Sequence, residues 1–100
     1  MDKKGSLIDQ NAIFSQLNNL FIKRFELDLL KDNGKFLDKH LLGIEIGLRA
    51  RDLLYLYFDI INTFEIEISQ EDISAGKFST YNNIAHIIIS QLEHKSLQAV

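Results

Sequence analysis

Cysteine and proline are both missing from this chain of 100 residues, and glycine occurs only five times. Without cysteine, the chain can form no disulfide, no thiolate metal site and no cysteine nucleophile. Without proline, the ending of helices is left to glycine and to Asn or Asp residues. The composition therefore predicts a chain in which helices are abundant.

Long apolar runs and a strong excess of one charge are also missing. The N-terminal sequence MDKKGSLIDQNAIF contains no apolar block of the signal-peptide type, and no run of about 18 apolar residues follows it. The formal net charge of -3 offers no electrostatic basis for binding nucleic acid. We therefore expect a soluble cytoplasmic protein that binds neither nucleic acid nor a membrane.

The length of the chain is typical of a single domain with one modest core. A domain of this size buries a little over roughly 60% of the surface of its unfolded chain. Hydrophobic residues make up 46% of the chain and charged residues 25%, which is ordinary for a globular protein. We predict one domain over residues 1–100, with an ordered core over about 10–93 and short tails.

Apolar residues three and four positions apart predict long helices near both ends of the chain. The first helix is expected over about 10–26, with Asp9 or Asn11 as its N-cap. The last is expected to begin after Ser79 or Thr80 and to end at about residue 93, with KSLQAV fraying beyond it. The predicted inner faces comprise Ile13, Leu17, Leu20, Phe21 and Phe25 in the first helix and Ile84, Ile87, Ile88 and Leu92 in the last.

A third amphipathic pattern predicts a helix over about 49–63. Tyr55 and Phe58 fall on or beside its polar face, which gives that face more aromatic surface than solubility requires. Either they form a contact surface or they pack beneath the preceding loop. The predicted inner stripe comprises Leu53, Leu56, Tyr57, Ile60, Ile61 and Phe64. The candidate partner-binding residues are Arg49, Arg51, Asp52, Leu54, Tyr55, Phe58, Asp59 and Asn62.

The segments between the long helices show no sustained helical period. A long, partly apolar loop precedes the middle helix, and Asp32-Asn33-Gly34 marks a turn within it. The sequence FEIEI alternates like an edge strand, but no other segment offers it a partner, so we expect an extended connection with its isoleucines inward. A short helix should then run from Ser69 or Gln70 through Ile73, and Gly76 should end it.

Four short motifs, taken in order, resemble those of the acyl carrier protein family over roughly Ile13–Leu92. IGL precedes the middle helix as the family's leucine-glycine step precedes its DSL motif, and FEIEI is similar to the family's FGIEI. EDI is similar to its short third helix, and FSTY is similar to the F-x-T-V that begins its last helix. The resemblance implies an all-α fold, an acyl-carrier-like four-helix bundle with three long helices, one short helix and a long loop between helices 1 and 2.

Ala50 stands where this family carries its attachment serine, counting back from Phe64. In the family that serine hydroxyl forms a phosphodiester with phosphopantetheine, whereas an alanine methyl group has no oxygen to modify. Arg49 and Arg51 replace the aspartate and the leucine of DSL. None of the seven serines of the chain follows a Gly-Leu-X step at a helix start. The resemblance therefore implies a carrier fold whose cofactor position is not competent, and we expect no cofactor.

The charge of the middle helix also departs from the family pattern. The family's second helix is usually acidic, whereas the charges of two arginines and two aspartates sum to zero in the middle helix of this chain. The negative charge is concentrated instead in the segment that follows the helix, at Glu65, Glu67, Glu71 and Asp72. Since complementary potential governs the choice of partner, the partners should differ from enzymes of fatty-acid synthesis. GLxxRDLLYLYFDI and GKFxTxNNI are similar to acyl-carrier-related proteins of bacterial peptide maturation systems. This implies maturation enzymes or a precursor peptide of the bacteriocin type as partners.

Three hypotheses of function remain open. The chain is a non-catalytic adaptor without an attachment site, or a genuine phosphopantetheine-dependent carrier whose serine has been replaced or lies elsewhere, or an unrelated small helical regulator. An enzyme is not expected, because no phosphate loop or nucleophile and base pair is found. Nor is a metal site expected, because His40, His86 and His94 are far apart in the sequence.

Overall fold

The computed structural model describes residues 9–98, and the side chains of residues 9–95. Within this range all of the regular secondary structure is helical, and no strand is present. The predicted all-α class is therefore confirmed for this part of the chain. Of its three long helices, the first contacts both of the others. The elements are α1 (Gln10–Phe25), α2 (Lys31–Gly34), α3 (Ala50–Phe64), α4 (Gln70–Ser74) and α5 (Tyr81–Gln98).

The predicted starts of α1, α4 and α5 are confirmed, and a capping side chain stands at each of these three. The Asp9 carboxylate accepts hydrogen bonds from the N–H groups of Asn11 and Ala12, at 3.0 and 3.3 Å. The Ser69 hydroxyl accepts one from the N–H of Asp72 at 3.1 Å, and α4 begins one residue later. The Thr80 hydroxyl accepts from Asn83 N–H at the same distance, just before α5.

The predicted end of the last helix is wrong. Instead of ending near residue 93, α5 continues to Gln98, so most of KSLQAV is helical. The tail contains neither glycine nor proline to stop a helix. In addition, the Lys95 ammonium group donates a 2.7 Å hydrogen bond to the carbonyl of Glu65, which ties the last turns of α5 to the end of α3. The other predicted tail residues, 1–8 and 99–100, lie outside the described residues.

The connection after α3 is extended, as predicted. Glu65 ends the helix in a left-handed conformation with φ 56°. Ile66 and Ile68 then turn inward and are buried, while Glu67 remains exposed. An alternating pattern has thus produced an extended segment that packs through its side chains without pairing as a strand.

Tyr81 lies at the centre of the core. Its side chain is fully buried, and its ring centroid lies 5.3 Å from that of Phe21 and 5.7 Å from that of Phe14. Its hydroxyl donates a hydrogen bond to the backbone carbonyl of Phe14. This residue therefore joins the start of α5 to the middle of α1. The other fully buried large side chains are Phe21, Leu17, Leu41, Leu56, Ile60, Ile84 and Ile88.

Burial raises the pKa of Tyr81 above its ordinary value. The folded chain therefore holds this proton more tightly than the unfolded chain, whose tyrosine loses it near pH 10. The raised pKa therefore leaves the free energy of unfolding unchanged up to about pH 10. Above that pH it lowers the free energy of unfolding by about 1.4 kcal/mol per pH unit. We expect Tyr81→Phe to remove this share of the alkaline loss, as measured by urea unfolding of both proteins at about pH 9 and 11. An equal loss in both proteins would show that other groups, such as the lysines, cause it.

Asn18 anchors the long loop between α1 and α3. It is a buried polar residue, and its amide nitrogen donates to the Asp28 carboxylate at 2.9 Å. Its amide oxygen accepts from the N–H of Leu29, also at 2.9 Å, and Leu29 is itself buried. The turn predicted at Asp32-Asn33-Gly34 follows, with the first two residues in the left-handed conformation. The loop thus leaves α1 along a fixed path, with α2 as a single interrupted turn.

Backbone hydrogen bonds then attach the loop to the region where α5 begins. Leu41 N–H donates to the carbonyl of Ser79 at 2.8 Å, and Asn82 N–H donates to the carbonyl of Leu37 at 3.0 Å. Leu48 N–H donates back to the carbonyl of Leu41 at 3.0 Å. The residue that leads into the N-cap of α3 is therefore held by the loop, and the loop in turn is held by the start of α5.

Candidate functional site

The start of α3 presents Ala50 to solvent. Gly47 has a φ of 78°, which turns the chain into the helix, and Arg49 is the N-cap. The Asp52 carboxylate accepts from the N–H of Arg49 at 2.9 Å. Because a guanidinium group can only donate, Arg49 cannot return the bond, and only half of a capping box is formed. Ala50 is exposed as the first helical residue, with its methyl group accessible.

A mostly apolar groove of about 490 Å³ opens beside Ala50. It lies between α3, α4 and two connecting segments, residues 40–42 and 76–79. Sequence analysis placed only Ala50 and Leu54 at the site and missed the rest of this lining. The lining residues are His40, Leu42, Ala50, Leu53, Leu54, Tyr57, Gln70, Ile73, Gly76, Phe78 and Ser79. The one signal in the sequence was the partly apolar character of the long loop, whose Leu42 remains exposed at the groove.

The outer face of α3 carries exposed apolar side chains. Leu54, Tyr55 and Phe58 are 53%, 50% and 49% exposed. The two aromatic residues therefore do not pack beneath the loop, and the hypothesis that they do is wrong. Among the other candidate partner-binding residues, Arg49, Arg51 and Asn62 are exposed and Asp52 and Asp59 are half-buried. The predicted inner stripe is confirmed, with Leu56, Ile60 and Phe64 buried and Leu53, Tyr57 and Ile61 half-buried.

Arg24 of α1 borders this face and was missed as a site residue. Its guanidinium group makes two hydrogen bonds to the Asp59 carboxylate, one of them at 2.9 Å. The same group lies 5.4 Å from the centroid of the Tyr55 ring, within cation–π range. The hydrogen bond to Asp59 raises the pKa of Arg24 above its usual value. Arg24 thereby offsets the charge of Asp59 and holds one edge of the exposed face in place.

Opposite charges flank the exposed face. Arg49 and Arg51 are exposed at the start of α3, and Glu65 and Glu67 are exposed just past its end.

Within residues 9–95, no group of three His, Asp or Glu residues is arranged to hold a metal ion. No helix in the described part of the chain is both long and apolar enough to cross a membrane.

No protein-family model, no curated protein and no solved structure matches this chain.

Proposed function

We propose that this chain is an acyl-carrier-like protein that works without an attached cofactor, as a non-catalytic adaptor in a peptide maturation pathway. The observation that carries the proposal is the exposed apolar face of α3 beside Ala50. Leu54, Tyr55 and Phe58 each leave about half of their surface in water. Clustered exposed apolar side chains of this kind are characteristic of protein-binding surfaces.

The chemistry at the start of α3 supports an adaptor over a loaded carrier. In the resemblance to the acyl carrier protein family, Ala50 stands at the position of the attachment serine. Its methyl group can form no phosphodiester. Arg49 and Arg51 on either side give the helix start a positive charge that favours acidic partners. The partners proposed from the resemblance are maturation enzymes or the precursor peptide.

A genuine carrier remains the second candidate, because the groove lies beside Ala50. Its volume of about 490 Å³ falls within the range of small-molecule sites. Leu53, Leu54 and Phe78 contribute apolar lining. In this alternative the attachment serine has been replaced at position 50 or lies elsewhere in the chain, and the groove receives part of the phosphopantetheine arm or its cargo.

Loading separates the adaptor from a carrier whose attachment serine lies elsewhere in the chain. The unchanged protein and Ala50→Ser are incubated with coenzyme A and a promiscuous phosphopantetheinyl transferase, and the intact mass of each is measured. We expect only Ala50→Ser to gain the arm. Arg51→Ser is the matched control, since it places a hydroxyl one residue later on the same helix turn and should stay unmodified.

Each other outcome has a distinct meaning. Modification of the unchanged protein would show a working carrier with its serine elsewhere, and the adaptor proposal would be abandoned. If Ala50→Ser also stays unmodified, the start of α3 is not a transferase substrate, and the hypothesis of an unrelated helical regulator takes precedence.

A further inference from the structure

One stripe of exposed residues runs the full length of α3. Arg51, Leu54, Tyr55, Phe58 and Asn62 follow one another at helical spacing and all are exposed, and we call them the outer stripe. Its centre is apolar and its two ends are polar. The groove beside Ala50 borders it through Leu54, and Arg24 borders it through Tyr55.

The charges at the two ends of the stripe oppose the dipole of their own helix. Arg51 lies at the N-terminal end of α3, where backbone N–H groups already carry partial positive charge. Glu65 lies just beyond the C-terminal end, where carbonyl groups carry partial negative charge. Within residues 9–95, neither side chain makes an ion pair. An antiparallel copy of the same helix would bring each of these charges next to its opposite.

We propose that the outer stripe binds a second copy of this chain, with the two α3 helices antiparallel about a two-fold axis between Tyr55 and Phe58. This deepens the proposed function and rests on it, because it names a partner for the same protein-binding face. A two-fold interface requires a surface that is complementary to itself, and this stripe is.

The spacing of the stripe fits that symmetry. With the axis between Tyr55 and Phe58, each Tyr55 faces the partner subunit's Phe58. Arg51 lies four residues before Tyr55 and Asn62 lies four residues after Phe58, so Arg51 faces the partner subunit's Asn62. Helical side chains lean toward the N-terminus of their own helix, so Arg51 leans toward the partner subunit's Glu65. Aromatic contact at the centre and opposite charges at both rims thus arise from one register.

The proposed contact between the two α3 helices is short, so we expect the dimer to be weak. Helix α3 has 15 residues, a length of about 22 Å at 1.5 Å per residue. A single helix pair of this length lies at the small end of specific interfaces, where association is weak and depends on concentration. A maturation partner that uses the same face would compete with the second copy and convert dimer into monomer.

Sedimentation equilibrium of the full chain tests the proposal, over about 5 µM to 1 mM, the range of weak association. We expect a monomer–dimer equilibrium whose dissociation constant rises about tenfold or more in Phe58→Ala, since central aromatic side chains dominate such contacts. Ile44→Ala is the matched control, because Ile44 is fully exposed in the loop and should leave the constant unchanged.

A charge-reversal cycle tests the register. Arg51→Glu and Glu65→Arg should each weaken the dimer about fivefold or more, and the double variant should recover most of the loss because the pair is restored with its signs exchanged. Glu93→Arg makes the same charge change as Glu65→Arg at an exposed position of α5, and it should have no comparable effect.

The second-copy proposal is overturned if the protein stays monomeric throughout, or if Phe58→Ala and Ile44→Ala have equal effects. It is also overturned if the double variant shows no recovery. A monomer that gains the phosphopantetheine arm only as Ala50→Ser would leave the adaptor proposal standing, so the two failures are distinguishable.

Discussion

Replacing Tyr81 with alanine is expected to lower the free energy of unfolding by about 3–5 kcal/mol, the range for truncation of a large buried aromatic side chain. The ring is fully buried against Phe14 and Phe21, so its removal leaves a cavity in the centre of the core. The hydrogen bond to the Phe14 carbonyl is lost as well. Urea unfolding followed by circular dichroism measures the change.

Two further variants divide the Tyr81 effect into its parts. Tyr81→Phe keeps the ring and removes only the hydroxyl, so it should cost about 1–2 kcal/mol. Tyr55→Ala makes the same truncation on the exposed face of α3, where it should cost less than about 1 kcal/mol. If Tyr55→Ala were as damaging as Tyr81→Ala, the core would not be centred on the start of α5.

Asn18→Ala is expected to destabilise the fold by about 2–3 kcal/mol, because a buried donor left without a partner retains its full desolvation penalty. The change removes the acceptor of the buried Leu29 N–H and the donor to Asp28. The long loop should loosen before the rest of the chain. Limited proteolysis should therefore cut between residues 27 and 48 much faster in the variant, alongside the loss measured by urea unfolding.

The neighbouring asparagine supplies the control for this effect. Asn19 lies in the same helix but is exposed, so Asn19→Ala removes an amide without opening a buried hydrogen bond. It should change the stability by less than about 0.5 kcal/mol and leave the proteolysis pattern unaltered. Equal sensitivity of the two variants would show that Asn18 acts through helix propensity and does not anchor the loop.

The helices could be predicted from the sequence because their signals are local. Asp9 and Ser69 cap helices from positions directly before them, and the inner stripe of α3 follows from the spacing of its apolar residues. The exposure of Tyr55 and Phe58 followed from the same spacing, once the loop was found not to cover them.

The groove could not be predicted, because long-range contacts build it. Its loop side depends on the bond between Leu41 N–H and the Ser79 carbonyl, two residues with all of α3 and α4 between them in the sequence. Arg24 was missed because nothing in its local sequence marks it, and only the position of Asp59 on a neighbouring helix reveals its role. The end of α5 was missed for the same reason, since Lys95 finds its acceptor at Glu65.

The hydrogen bonds that join the loop to the start of α5, and the bond within the loop just before α3, have a consequence for amide hydrogen exchange. The amides of Leu41 and Asn82 are protected by acceptors in other segments, and the amide of Leu48 is protected by an acceptor within the loop, so each should exchange only when its contact opens. Slow exchange at these three positions would mark a groove whose wall is already ordered before anything enters it. A ligand or peptide that binds there would then lose affinity only through its own ordering, and the wall would contribute little entropic cost.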